Sequence, residues 1–196
     1  MRKIVGIDEV GRGPLAGPVT VCAVSCYLVI YTILKRNKNL PVLGKDSKKL
    51  SAKDREKYAT NLKYIGLPYV VVHISNKIID KKGVSFAMKS AINQVLQKLG
   101  LNPKNCEVLL DGGLKAPKEF LKQKTIIKGD EKEKIIAWAS ILAKVSRDAL
   151  MVRLGKKYPK YDLGKHKGYG TLEHRKAIKK HGLSDIHRKT FCVCLS

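Results

Sequence analysis

Residues 4–14 read Ile-Val-Gly-Ile-Asp-Glu-Val-Gly-Arg-Gly-Pro. Four residues with the character of a buried strand run straight into two adjacent carboxylates. A carboxylate at the end of a buried strand is costly to ionise unless something positive meets it. A hydrated divalent cation answers that need, since Mg²⁺ is typically held by one or two carboxylates together with substrate phosphates. Gly11 and Gly13 then let the backbone approach a ligand closely. An isolated Asp-Glu pair is usually just solvated, so the weight falls on the rest of the chain. One constraint is steric. Successive strand residues face opposite sides of a sheet, so Asp8 and Glu9 share one site only if the chain bends or bulges, or if one acts through water.

The same plan recurs twice. Cys106 to Leu110 is an apolar strand, followed by Asp111 and then Gly112-Gly113. Thr125 to Lys128 reads as another short strand, ending at Gly129-Asp130. Ligands of open sheets gather outside the carboxyl ends of the strands. Acids at three strand ends, far apart in sequence, are therefore expected as neighbours in space. Between them, Val19 to Leu34 is rich in Val, Ile, Tyr and Thr and reads as core strands antiparallel to the first. It is shorter than a typical membrane span. Ser51 with Asp54 three residues on marks a helix start, running to about Leu62. Tyr69 to Ile74 reads as a strand, and Asp80 to Leu99 as one helix stopped by Gly100. A long helix is expected over Lys134 to Leu154, with small residues such as Ser140 allowing close approach to the sheet or a substrate. Lys144, Arg147 and Asp148 close that run, with Asp148 reading as an ion-pair partner of Arg147 or of a neighbouring turn. A last helix begins at Thr171 to Glu173 and reaches about His181.

Forty basic residues against sixteen acidic ones give a formal net charge of +24. Such an excess implies a polyanionic partner, foremost nucleic acid. Lys45, Lys48 and Lys49 precede the Ser51 helix and are placed to meet phosphates. In the basic tail, Tyr158, Tyr161 and Tyr169 interleave with lysines around the glycine-rich run Gly164 to Thr171, a pattern suited to backbone contact plus stacking. The tail separates the chain into an α/β unit over 1–155 and a basic helical segment over 156–196 packed on it. None of the five cysteines has C-x-x-C spacing, which points to reduced thiols in a cytosolic protein. Cys22 and Cys26 lie in apolar surroundings and should pack as small hydrophobes. His166, His174 and His181 lack a standard zinc spacing. A purely binding, non-catalytic basic module would explain the charge and the tail. It would not explain acids at three strand ends, which weaken polyanion binding unless a metal is present.

Six stretches together resemble one family, type 2 ribonuclease H, the bacterial ribonuclease HII. They are Gly6 to Pro18, Lys45-Asp46-Ser47-Lys48-Lys49-Leu50, Leu110-Asp111-Gly112, Lys128-Gly129-Asp130, Ala139 to Asp148, and His166-Lys167-Gly168-Tyr169. They occur in family order across nearly the whole chain. The resemblance implies an α/β, ribonuclease H-like mixed sheet of about five strands flanked by helices, with a helical C-terminal part. It implies a metal-dependent endonuclease that cleaves the RNA strand of RNA–DNA hybrids. Such an enzyme also incises 5′ of ribonucleotides embedded in duplex DNA, leaving 3′-hydroxyl and 5′-phosphate ends. By the same resemblance Asp8, Glu9, Asp111 and Asp130 form the acidic site for Mn²⁺ or Mg²⁺. Gly11, Arg12, Gly13 and Tyr169 become the set that reads the RNA-to-DNA junction, and Lys48, Ser140 and Lys144 are further substrate contacts. The partners implied are RNA–DNA hybrid and ribonucleotide-containing DNA duplex. The protein is expected to be a cytoplasmic monomer without membrane association. With the Asp-Glu motif at residue 8 and the chain ending soon after Phe191, neither an N-terminal domain nor a long terminal helix is expected.

Overall fold

The computed structural model describes residues 1–36 and 50–195. Lys45, Lys48 and Lys49 lie outside the described residues. Strand β1 (Lys3–Val10) runs through both carboxylates rather than stopping before them. The cause is its neighbour β2 (Val19–Tyr27), which pairs antiparallel from Lys3↔Tyr27 to Val10↔Thr20. Every residue of β2 except Tyr27 is buried, as befits a central strand covered on both faces.

The expected strands over Val19 to Leu34 are only half right. At Leu28 the chain turns into helix α1 (Leu28–Arg36). The ladder has run out there, since Lys3↔Tyr27 is the last pair, and the Leu28 amide donates to the Arg2 carbonyl instead. Tyr31 turns inward, edge-on to Trp138 at 6.1 Å, and donates to Glu133. This tertiary contact overrides the local β propensity of Val, Ile, Tyr and Thr.

Helix α2 (Ala52–Tyr64) starts where expected, with the Ser51 hydroxyl accepting from the Asp54 amide at 3.1 Å. Strand β3 (Tyr69–Ile74) pairs antiparallel with β2. The single helix expected over Asp80 to Leu99 is two, α3 (Asn76–Lys82) and α4 (Val84–Lys98). Gly83 separates them at φ +83° and ψ 157°, a conformation outside the helical region that glycine alone adopts readily. Strand β4 (Cys106–Asp111) lies parallel to β1, and β5 (Gln123–Ile126) parallel to β4. The short α5 (Gly129–Lys132), the long α6 (Lys134–Lys157), α7 (Leu163–His166) and α8 (Leu172–His181) complete the chain.

Among the described residues one sheet forms, in the order β3-β2-β1-β4-β5. The alternation along β1 sorts its two faces. Val5 and Ile7 join a core with Ala87, Ala91, Ile92 and Val95 of α4. Ile4 joins Cys22, Val24 and Cys26 against Ile135, Trp138 and Leu142 of α6. Gly6 faces α6 as well. A Cβ there would sit 2.4 Å from the Ile135 backbone, so helix and strand touch main chain to main chain. A third cluster of Ala16, Met151, Tyr161, Leu163, Ile178 and Cys192 seats the C-terminal segment on the end of α6.

Candidate active site

The parallel ladder between β1 and β4 ends at Ile7↔Leu110. Asp8 and Asp111 are the next residue on each strand, and Glu9 follows Asp8. No bulge brings them together, because β1 keeps its register with β2 at Asp8↔Cys22 and Glu9↔Val21. Their convergence comes from lying past the last β1–β4 rung, where side chains can turn into the open strand end. One carboxylate oxygen from each of Asp8, Glu9 and Asp111 falls within 4.8 Å of the others. Asp8 Oδ1 accepts from the Glu9 amide at 2.7 Å, and Asp111 Oδ1 from the Gly129 amide at 2.6 Å.

Three carboxylates this close repel. Asp8 is buried, and burial first, then the Glu9 and Asp111 charges, push its carboxyl well above the usual range. A hydrogen bond from Ser140 on α6 partly offsets this. Glu9 is raised too, mainly by burial, against the pull of Arg12 at 3.3 Å. Glu9 Oε2 is buried without a hydrogen-bond partner among the described residues. An orphaned, buried carboxylate oxygen beside two further acids is the donor set a hard divalent cation fits.

Asp130 does not sit at a strand end. Strand β5 stops at Ile126, Lys128 takes a left-handed conformation at φ 55°, and Gly129 opens the helical turn α5 that buries Asp130. It is not part of the group of three acids found among the described residues. The tie between them is indirect: the Gly129 amide, one residue before Asp130, is the one that binds Asp111.

The acids floor a cavity of about 550 Å³. Gly11, Arg12, Gly13, Ser140, Lys144 and Tyr169 also line it, as does Arg55. Apart from Asp130, the structure thus assembles every described residue of the sequence-derived set, Lys48 lying outside the described residues. Arg55 was missed. Its signal is a basic residue in the first turn of α2, where the helix dipole disfavours positive charge. Lys144 pairs with Asp148 at 3.0 Å, so of the two partners expected for Asp148 it is the neighbouring turn, not Arg147, that supplies the cation, as an i, i+4 pair on α6. Lys144 and Arg147 lie 5.8 and 5.7 Å from the centroid of the Tyr169 ring, which is 39% exposed.

Tyr169 is held by its backbone. The His174 ring donates from Nδ1 to the Tyr169 carbonyl at 2.9 Å. His174 Nε2 lies 3.1 Å from His187 Nε2, and His187 Nδ1 accepts from the Ser184 amide at 2.9 Å. Only one arrangement satisfies all three bonds: both rings neutral, His187 donating to His174. Burial lowers both histidines, His174 to about 4.

A family profile described as Ribonuclease HII matches residues 5–194. That span holds every acid and every cavity residue named above. The chain belongs to the ribonuclease HII family. A ribonuclease HII of Endomicrobium trichonymphae is 45% identical over 188 residues, covering 96% of this chain and 84% of that protein. One from Clostridium beijerinckii is 42% identical over 194 residues, covering 99% and 69%. The crystal structure of ribonuclease H2 from Pyrococcus horikoshii OT3 superposes with a TM-score of 0.76 at 26% identity, covering 98% of this chain and 96% of that one. As a ribonuclease HII, the chain is a divalent-metal-dependent endoribonuclease of the ribonuclease H class. No helix among the described residues is long and apolar enough to cross a membrane.

Proposed function

We propose that the enzyme incises RNA–DNA hybrids and duplex DNA 5′ of embedded ribonucleotides, using Asp8, Glu9 and Asp111 as ligands for Mg²⁺ or Mn²⁺. The observation that carries this reading is the trio of acids within 4.8 Å of one another, with Glu9 Oε2 left unpartnered among the described residues. Asp130 serves the site as a fourth acid from outside that trio, tied to Asp111 through the Gly129 amide. When bound, the cation supplies Lewis-acid stabilisation of the charge that develops on the scissile phosphate and promotes water as a nucleophile. The products carry 3′-hydroxyl and 5′-phosphate ends.

The protein's own groups do the selecting. The 2′-hydroxyl is the local feature that separates RNA from DNA. Backbone groups of Gly11 to Gly13 can reach it: the space beside Gly13 is open, and Gly11, at φ +88° with no room for a Cβ against Arg147, holds the turn that presents them. The exposed Tyr169 ring packs on the sugar that follows the ribonucleotide and tests for a missing hydroxyl. Lys144 and Arg55 meet phosphates on either side of the acids, Ser140 holds Asp8, and Lys48 contributes a further phosphate contact from outside the described residues. The net charge of +24 holds the duplex through its backbone, so binding falls steeply with salt. The enzyme acts as a cytoplasmic monomer.

The test is a labelled DNA duplex with one ribonucleotide, incubated with Mg²⁺, Mn²⁺ or chelator beside an all-DNA control. Metal-dependent incision 5′ of the ribonucleotide, with the control intact, is expected. Salt-sensitive binding without incision under either metal would make the chain a binding module and sink the reading.

A further inference from the structure

Two guanidinium groups, those of Arg147 and Arg188, are completely buried, and neither forms a salt bridge among the described residues. Each meets three backbone carbonyls instead. Arg147 donates to Pro18 at 3.0 Å, Lys167 at 3.0 Å and Ala16 at 3.3 Å. Arg188 donates to Gly11 at 2.6 Å, Arg12 at 2.7 Å and Gly17 at 3.0 Å. The Arg188 amide also donates to the Leu15 carbonyl at 2.7 Å. Most carbonyls between Gly11 and Pro18 are therefore drawn inward by buried cations. Burial and the neighbouring Arg147 charge bring Arg188 only down to about 10, so it stays charged at neutral pH.

A burial this costly needs a geometric return, and the peptide plane supplies one. In a trans peptide the carbonyl of one residue and the amide of the next point in opposite directions. Turning the Gly11 and Arg12 carbonyls toward Arg188 turns the Arg12 and Gly13 amides away from it, and Gly11 to Gly13 line the cavity, whereas Arg188 does not. We infer that Arg188 is a positioning residue for ribonucleotide recognition, aiming the Arg12 and Gly13 amides at the substrate by anchoring the two carbonyls behind them. The inference rests on the reading of Gly11 to Gly13 as the group that senses the 2′-hydroxyl.

Arg188 is itself strapped down. Asn76 on α3 donates to the Asp185 and His187 carbonyls at 2.8 and 3.0 Å. Asp80 on α3 accepts from the Lys189 amide at 3.0 Å and from the Thr190 amide and hydroxyl at 3.1 and 2.7 Å. Helix α3 thus fixes the segment that carries Arg188 into the loop.

Two variants test this, Arg188→Lys and Asp80→Ala, the second loosening the strap and removing a carboxylate charge that favours the Arg188 cation, with the guanidinium itself kept. A lysine keeps the charge but cannot span three carbonyls in fixed directions. At a lone ribonucleotide, Arg188→Lys is expected to lower kcat about 10-fold or more with KM changed less than about 3-fold, since small misplacements act on the transition state. The loss on a long hybrid is expected to be smaller. Asp80→Ala should give the same pattern at about a third of that size. In amide NMR spectra the Arg12 and Gly13 signals should shift or broaden while those of Val5 and Val21 stay. Equal losses on both substrates, or unmoved Arg12 and Gly13 amides in a folded variant, would overturn the inference. If Arg188→Lys does not fold, unchanged kinetics in Asp80→Ala would do so. A wild-type enzyme that incises the all-DNA duplex as readily would instead defeat the junction reading, leaving the anchoring to be judged by the amide signals alone.

Discussion

Asp8 and Asp111 are each the first residue beyond the last rung of the parallel β1–β4 ladder, which closes at Ile7 and Leu110. Two strands far apart in sequence thus deliver a carboxylate to the same strand end. Asp111→Asn is expected to lower kcat by about 10³-fold while hybrid binding persists, because the change removes one charge from the site and keeps the shape. Parallel cleavage and gel-shift assays check this; lost binding or folding would make Asp111 a structural residue.

The same crowding sets a stability prediction. A carboxyl raised in the folded state binds its proton more tightly there than in the unfolded chain, so at neutral pH its ionisation works against folding. Asp8→Asn removes that repulsion and should raise the metal-free Tm by about 3 °C, or ~1 kcal/mol for a chain of this size. Thermal unfolding in chelator measures it, and a lower Tm would show that Asp8 holds the fold.

Divalent metal should reverse the order. A ligand that binds only the folded state adds stability with its concentration, about 2.7 kcal/mol at a hundred times its Kd. Mg²⁺ or Mn²⁺ is expected to raise the wild-type Tm and to leave Glu9→Gln nearly unmoved. Equal rises in both proteins would place the ion elsewhere.

The His174–His187 bond sets an acid limit. With His174 lowered to about 4 from an ordinary value near 6.5, protons bind the unfolded chain first as pH falls. The stability from the neutral pair is complete above about pH 6.5 and is lost toward pH 4. Protonation would also set two N–H donors facing each other, one ring away from the Tyr169 carbonyl. His174→Gln can donate to that carbonyl and accept from His187 without titrating. It should flatten this part of the Tm profile, which a pH series of melting curves would reveal.

Tyr169 offers its ring to the cavity against two cations. Tyr169→Ala is expected to cut incision at a lone ribonucleotide about 10-fold more than cleavage of a long hybrid, and Tyr169→Phe to keep most activity. Comparable losses on both substrates would remove the junction role.

The strand-then-acid pattern made Asp8, Glu9 and Asp111 legible, because burial beside charge leaves a local signature. The helix starts at Ser51 and at Thr171 to Glu173 were legible from another local feature: the Ser51 and Thr171 hydroxyls each bond an amide three residues on. What failed was set from a distance. Leu28 to Arg36 has strand composition, yet the ladder gives out at Tyr27 and Trp138 draws Tyr31 inward. Asp130 follows a short strand in sequence, but the left-handed Lys128 turns it into a helical turn. Arg147 read as half of an ion pair and Arg188 as part of a basic tail, because partners that are backbone carbonyls leave no mark in the sequence.

The bare contact at Gly6 has a consequence for the chemistry. From Gly6 to Asp8 is two strand residues, roughly 7 Å; from Ile135 to Ser140 is five helical ones, also roughly 7 Å. The two rulers are laid against each other with their zeros at Gly6 and Ile135, and they come out level at Asp8 and Ser140. Any side chain at Gly6 would slide one ruler along the other or lift it away. The hydrogen bond that tempers the Asp8 carboxyl is therefore calibrated by a residue with no side chain of its own.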